Sequence, residues 1–116
     1  MNLSEITVFL LEDEPIIAFA LEDMLAAEGA RTMLATTLED AGALIDECTF
    51  DCGILDVNVH GQKSYQLAEV LQSRGIPFVF ATGYDSTGHP EVFASVRTLS
   101  KPYSPAQIRE AIATLA

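Results

Sequence analysis

Four kinds of side chain capable of chemistry stand at the ends of short apolar runs. Glu12, Asp13 and Glu14 follow the run ITVFLL, Asp56 closes CGIL, Thr82 closes FVFA, and Lys101 precedes Pro102 after a short run over residues 96–100. Three carboxylates brought together repel one another unless a hard cation lies among them. Mg²⁺ takes oxygen ligands and keeps several waters, so two carboxylates and a carbonyl suit it. A carboxylate can also attack phosphorus and form an acyl phosphate. A metal beside Asp56 would shield it from the incoming phosphoryl oxygens, while Lys101 and the Thr82 hydroxyl would receive the rest of that charge. Taken singly, each residue has an ordinary structural account. Glu14 suits a helix N-terminus, Asp56 a turn, Thr82 a polar strand end and Lys101 a solvated surface. Four such accounts at four strand ends, in this combination, make a poor joint explanation.

That chemistry requires a scaffold that gathers the ends of the runs. Ile6 to Leu11 is continuously apolar, as expected of a strand covered on both faces. Pro15 opens a helix expected to bury Ile17, Ala20, Leu21, Met24 and Leu25, and Gly29 ends it. Residues 31–35 read as a weaker strand. Thr37 and Asp40 resemble a capping pair ahead of the stripe Leu38, Ala41, Ile45, Cys48. Cys52 to Leu55 is a third strand that ends at Asp56. A helix from Tyr65 to Ser73 turns Leu67, Ala68 and Leu71 inward and closes at Gly75. Pro77 opens the fourth strand, and residues 96–100 form a short fifth. Ser104, Pro105 and Gln107 supply a cap, a first-turn proline and a capping-box partner for a last helix burying Ile108, Ala111, Ile112 and Leu115. Alternating strands and helices predict an α/β fold: a doubly wound five-stranded parallel sheet with right-handed crossovers. Ligands of such folds bind beyond the carboxyl ends of the strands, where these residues stand.

The chain of 116 residues is expected to form one domain, 1–116, with 49% apolar and 20% charged residues. A net charge of −11 with six Lys and Arg argues against nucleic-acid and anionic-membrane partners and favours cations and basic ones. Cys48 and Cys52 read as small buried hydrophobes of a reducing compartment, since there is no CxxC and neither histidine lies near them. His60 and His89 read as solvated loop residues. The N-terminal stretch has neither a basic lead nor a long apolar segment, which points to a cytoplasmic protein.

The segments LLEDE, ILDVNVHG, FATGY and LSKPY together resemble the signature set of bacterial two-component response-regulator receiver domains, CheY-like proteins, over nearly the whole chain. The resemblance implies strand order 2-1-3-4-5 and phosphoryl transfer from a sensor histidine kinase or histidine phosphotransfer protein. It makes Asp56 the phosphoacceptor and Thr82 and Lys101 the phosphoryl-binding hydroxyl and lysine. Glu12, Asp13, Asp56 and the backbone carbonyl of Asn58 would hold Mg²⁺. A phosphorylated receiver switches protein–protein contacts, with a downstream target that the sequence does not name and with a homodimer open to it. Such a protein is a phosphoacceptor rather than an enzyme, catalysing at most its own phosphorylation and dephosphorylation.

Two positions depart from that pattern. Thr98 stands where the family usually carries an aromatic switch residue, three places before the lysine. The stretch between Thr82 and Lys101 is short and holds Gly83, Gly88 and Pro90, so the fourth helix should be short or disordered. PFVFATGY resembles a receiver subgroup with an atypical fourth-helix region, in which Tyr84 is the nearest aromatic. Residues 83–96 are therefore expected to reorder most on phosphorylation.

Three other functions compete. A Mg²⁺-dependent aspartyl-phosphate phosphohydrolase would use a second aspartate two residues after the nucleophile, where Asn58 stands. A flavodoxin-like cofactor binder needs a Gly/Ser/Thr-rich phosphate cradle after the first strand, where three acids stand instead. An unphosphorylated docking domain would have no use for the full set.

Overall fold

The computed structural model describes residues 1–83 and 89–115. Tyr84 and Gly88 lie outside the described residues. Five parallel strands form the sheet: β1 (Thr7–Leu11), β2 (Arg31–Ala35), β3 (Cys52–Asp56), β6 (Phe78–Thr82) and β7 (Thr98–Ser100), in spatial order β2-β1-β3-β6-β7. This is the expected 2-1-3-4-5 order. The helices α1 (Pro15–Ala27), α2 (Leu38–Glu47), α3 (Tyr65–Ser73) and α4 (Pro105–Ala113) cover it on both faces. β3 and β6 are buried along their full length, which is why their sequences are continuous apolar runs rather than alternating ones.

Each face of the sheet carries its own core. Val8, Leu10, Ile54 and Val79 pack with Leu21 and Leu25 of α1 and Ile108, Ala111 and Ile112 of α4. Phe9, Leu11, Leu55, Phe78 and Phe80 pack with Ala41 and Ile45 of α2, Ala68 and Leu71 of α3, and Phe93. The alternation of side chains along a strand sorts neighbouring residues between the two cores.

Local signals set the helix ends. Gly29, at φ +88°, ends α1, and the Ala30 and Gly29 amides donate back to the Leu25 and Ala26 carbonyls. Thr37 caps α2 by accepting from the Asp40 amide at 3.0 Å. Ser104 caps α4 in a full capping box, its hydroxyl accepting from the Gln107 amide at 3.2 Å while its own amide donates to the Gln107 side chain at 2.7 Å.

Three details differ from the sequence reading. The core face of α1 is Ala18, Leu21 and Leu25; Ala20 is exposed, and Ile16 and Phe19 face outward at 85% and 60% exposure. The first turns of α1 are apolar on every side, so periodicity alone mis-phased them. Cys52 is buried and Cys48 only half-buried, both as free thiols. Burial pushes the Cys52 thiol up to about 12. Finally, a small antiparallel hairpin, β4 (Asn58–Val59) with β5 (Gln62–Lys63), follows β3 and was not expected. Both of its turn residues, His60 and Gly61, have positive φ, as a two-residue hairpin turn of primed type requires.

Between β6 and β7 the described residues contain a single 3₁₀ turn, Glu91–Phe93, and no α-helix. No helix among the described residues is long and apolar enough to cross a membrane.

Candidate functional site

The parallel sheet delivers the ends of β1, β3, β6 and β7 to one edge. β1 runs directly into Glu12 and Asp13, and Leu11 pairs with Leu55, one residue short of Asp56. Asp56 pairs with Ala81, and Thr82 pairs with Ser100 ahead of Lys101. The Lys101 amide donates to the Thr82 carbonyl at 2.8 Å, which fixes where that lysine leaves the sheet. A cleft of about 180 Å³ opens there, lined by Asp13, Asp56, Asn58, Thr82, Gly83 and Lys101 among others.

Lys101 is the charge that balances this cleft. Its Nζ lies 2.6 Å from Asp56 Oδ1 and donates to both Glu12 carboxylate oxygens, at 2.7 and 3.0 Å. Glu14 is farther, at 3.9 Å, and largely exposed. Glu12, Asp56 and Thr82 are buried to within a few per cent, whereas Asp13 is half-buried at the rim. Burial and then the neighbouring Glu12 carboxylate hold the Asp56 carboxyl well above the ordinary carboxylate range, against the opposing pull of Lys101. Burial works against the Lys101 charge as well, but its hydrogen bonds to Asp56 and Glu12 outweigh that and keep the ammonium above its usual value.

One lysine cannot neutralise three acids. Glu12, Asp13 and Asp56 each offer one oxygen, and these oxygens lie within 4.8 Å of one another. All are hard oxygen donors with excess negative charge, the donor set that suits Mg²⁺. Asn58, whose carbonyl would complete that set, begins β4 on the cleft wall. The residues present therefore fit the ion: Asp13, Asp56, Asn58, Thr82 and Lys101 line one cleft, and the buried Glu12 joins them through its bonds to Lys101.

Structure adds one residue that the sequence did not single out and gives each histidine a place. Ser64, buried at the N-terminus of α3, makes no cap with its side chain; its hydroxyl donates to the Asp56 main-chain carbonyl at 2.5 Å, and its amide donates to the Val57 carbonyl at 2.9 Å. The loop leaving Asp56 is thus closed at its base. A serine before a helix reads as a cap, so no sequence signal marks this second use. His60 places its amide 2.9 Å from Asp13 Oδ2, which the hairpin geometry explains. Its ring is mostly exposed, as expected. His89 is not a solvated loop residue. It is half-buried against Phe80, and burial, followed by the nearby Lys63 charge, lowers the ring's affinity for a proton.

With this geometry established, similarity to known proteins becomes informative. The response regulator receiver domain family matches residues 8–113. No curated protein matches the chain significantly. The solution structure of SdrG from Sphingomonas melonis Fr1 is 36% identical and has a TM-score of 0.84, with 97% of each chain covered. SdrG in a BeF₃-activated conformation, from Pseudomonas melonis Fr1, is likewise 36% identical, with a TM-score of 0.79 and 95% of each chain covered. The receiver domain of sensor histidine kinase PA1611 from Pseudomonas aeruginosa PAO1, with a magnesium ion coordinated in its active site cleft, has a TM-score of 0.79 at 21% identity, covering 92% of this chain and 93% of that one. The fold, the family match and the strand-end cluster agree: this chain belongs to the response regulator receiver domain family of two-component signalling.

Proposed function

We propose that the chain accepts a phosphoryl group on Asp56 from a sensor histidine kinase or histidine phosphotransfer protein, and that the acyl phosphate switches its contacts with a downstream protein. The observation that carries this reading is the convergence of Glu12, Asp13 and Asp56 oxygens within 4.8 Å, beside a half-buried lysine bonded to Asp56. That SdrG adopts a BeF₃-activated conformation supports it, because beryllofluoride imitates an acyl phosphate on a carboxylate.

In this reading an Asp56 carboxylate oxygen attacks phosphorus as the P–N bond of the donor phosphohistidine breaks. The leaving imidazole nitrogen keeps the electron pair of the broken bond and takes a proton from solvent. Lys101 exchanges its bond to the carboxylate for one to a phosphoryl oxygen, and the Thr82 hydroxyl donates to another. Glu12, Asp13, Asp56 and the Asn58 carbonyl would hold Mg²⁺, which when bound supplies charge shielding between the carboxylate and the phosphoryl oxygens. Ser64 keeps the Asp56 main chain in place while its side chain reacts. Asn58 offers no proton for turnover, which favours a phosphoacceptor over a phosphohydrolase. The intact charged set likewise disfavours an unphosphorylated docking domain.

Residues 1–116 then act as one receiver unit in the cytoplasm. The exposed Ile16 and Phe19, and a cleft of about 420 Å³ lined by Ile17, Ala20, Met24, Pro102 and Tyr103, offer an apolar rim to a protein that delivers phosphate to the adjoining site. The absence of an α-helix among the described residues between β6 and β7 supports placing the chain in the subgroup with PFVFATGY and an atypical fourth-helix region.

Incubation with Mg²⁺ and acetyl phosphate or phosphoramidate tests the reading by intact mass. One added phosphoryl group, labile to hydroxylamine and missing in Asp56→Asn, is the expected result. Equal uptake by Asp56→Asn refutes it.

A further inference from the structure

His89 engages both of its ring nitrogens away from the acceptor site. Nδ1 lies 2.8 Å from the Tyr65 hydroxyl on α3, and Nε2 lies 2.8 Å from the Thr98 hydroxyl on β7. The ring also packs on Phe80 of β6, with centroids 4.7 Å apart and planes at 34°, and meets Tyr65 at 5.7 Å and 81°. One side chain from the segment that leaves the site at Thr82 thereby ties together β6, β7 and α3. Phe93 anchors the same segment further along, stacked on Tyr65 at 5.7 Å and edge-on to Phe80 at 5.4 Å.

Strand register connects this cluster to the site. Phe80 pairs with Thr98 and Thr82 with Ser100. Side chains two apart on a strand share a face, so the Thr82 hydroxyl lies on the face of β6 that carries the Phe80 ring and the His89 contacts. A group that engages Thr82 therefore acts on the residue that opens this segment, on the side where His89 holds its other end.

The bonds are also of a reversible kind. A neutral imidazole has one donor and one acceptor, and tyrosine and threonine hydroxyls can each play either part, so the chain is satisfied without charge. Neutral hydroxyl–imidazole bonds exchange with water at small net cost, unlike the packing of Phe93.

We propose that Tyr65–His89–Thr98 is a clasp that reports the state of the Asp56 site to the α3 and β7 surface, closed in the unmodified chain and released when a phosphoryl group engages the Thr82 hydroxyl. The inference rests on Asp56 being the acceptor. Release would expose the Tyr65 and Thr98 hydroxyls together, changing what a partner meets on that side. Thr98, where the family pattern has an aromatic, thus takes part through a ring supplied from His89.

The chain has two histidines, so ring ¹⁵N spectra resolve each. The protein is incubated with Mg²⁺ and acetyl phosphate, and intact mass and ring spectra are recorded on the same sample. Before treatment His89 should show a single tautomer. After full phosphorylation it should show averaged tautomers, with amide exchange at Thr98 faster by roughly tenfold. Tyr65→Phe and Thr98→Val should each open the clasp in part while leaving phosphoryl uptake unchanged. His89→Phe keeps the stack on Phe80 without either bond. It should still take up phosphate but lose the phosphorylation-dependent change at Thr98, which loss of stability alone would not erase. An unchanged His89 ring in a fully phosphorylated sample, or persistence of the Thr98 change in His89→Phe, overturns the clasp and leaves the acceptor reading standing. No added mass overturns the acceptor reading and the clasp with it.

Discussion

Lys101 holds two buried carboxylates at once, and each variant of this cluster should fail in its own way. Asp13→Asn removes a rim ligand without touching the lysine bonds, so Mg²⁺ affinity should fall by about tenfold or more with the fold intact, as read by titration calorimetry. Lys101→Ala keeps the nucleophile, so some phosphorylation should survive, but the structural response to it should shrink. His89 titrates on a different principle. Its proton affinity in the folded chain lies below the ordinary value because burial and then Lys63 oppose the charge. The stability it contributes is therefore complete above about pH 6.5 and is lost as pH falls through the lower folded value. Wild type should lose more melting temperature between pH 7.5 and pH 5 than His89→Phe; equal losses would contradict this. The acids and the lysine were legible in the sequence because they stand at the ends of apolar runs. His89 was not, because its partners come from α3 and β7, 24 and 9 residues away, and nothing in the sequence around His89 names them.

At the level of elements, α1 divides sharply between a core face and a bare one. Leu25→Ala should cost about 2–5 kcal/mol in urea denaturation, as a fully buried leucine does, while Phe19→Ala should lie within about 0.5 kcal/mol of wild type. The reverse order would mean that α1 packs the other way round. Ser104→Ala should cost about 1 kcal/mol by removing the cap of α4. Strands and caps were legible because two-sided burial and capping chemistry are local patterns. The rotation of α1 was not, because Ile16 through Leu21 is an unbroken apolar run with no polar residue to mark the outside. The β4–β5 hairpin was missed because its strands are two residues each, too short for alternation to register.

Across the whole molecule, the sheet order follows from alternating elements and right-handed crossovers, and that order brings Glu12, Asp56, Thr82 and Lys101 to one edge. At that edge Glu12, Asp13 and Asp56 converge with Lys101 as their close counter-charge, so a bound divalent cation should stabilise the entire fold. At a hundredfold excess over its dissociation constant, the gain is about 2.7 kcal/mol, enough to move the melting temperature by several degrees. Millimolar Mg²⁺ that leaves it unchanged would contradict the metal assignment. The most direct measurement locates the phosphoryl group itself. The chain is phosphorylated with acetyl phosphate and Mg²⁺, reduced with borohydride so that an acyl-phosphorylated aspartate becomes homoserine, and digested for peptide mass mapping. Homoserine at position 56 and nowhere else is the expected result; homoserine at Asp13 with Asp56 unreduced, or a stable phosphate on a serine, threonine or histidine, would contradict it.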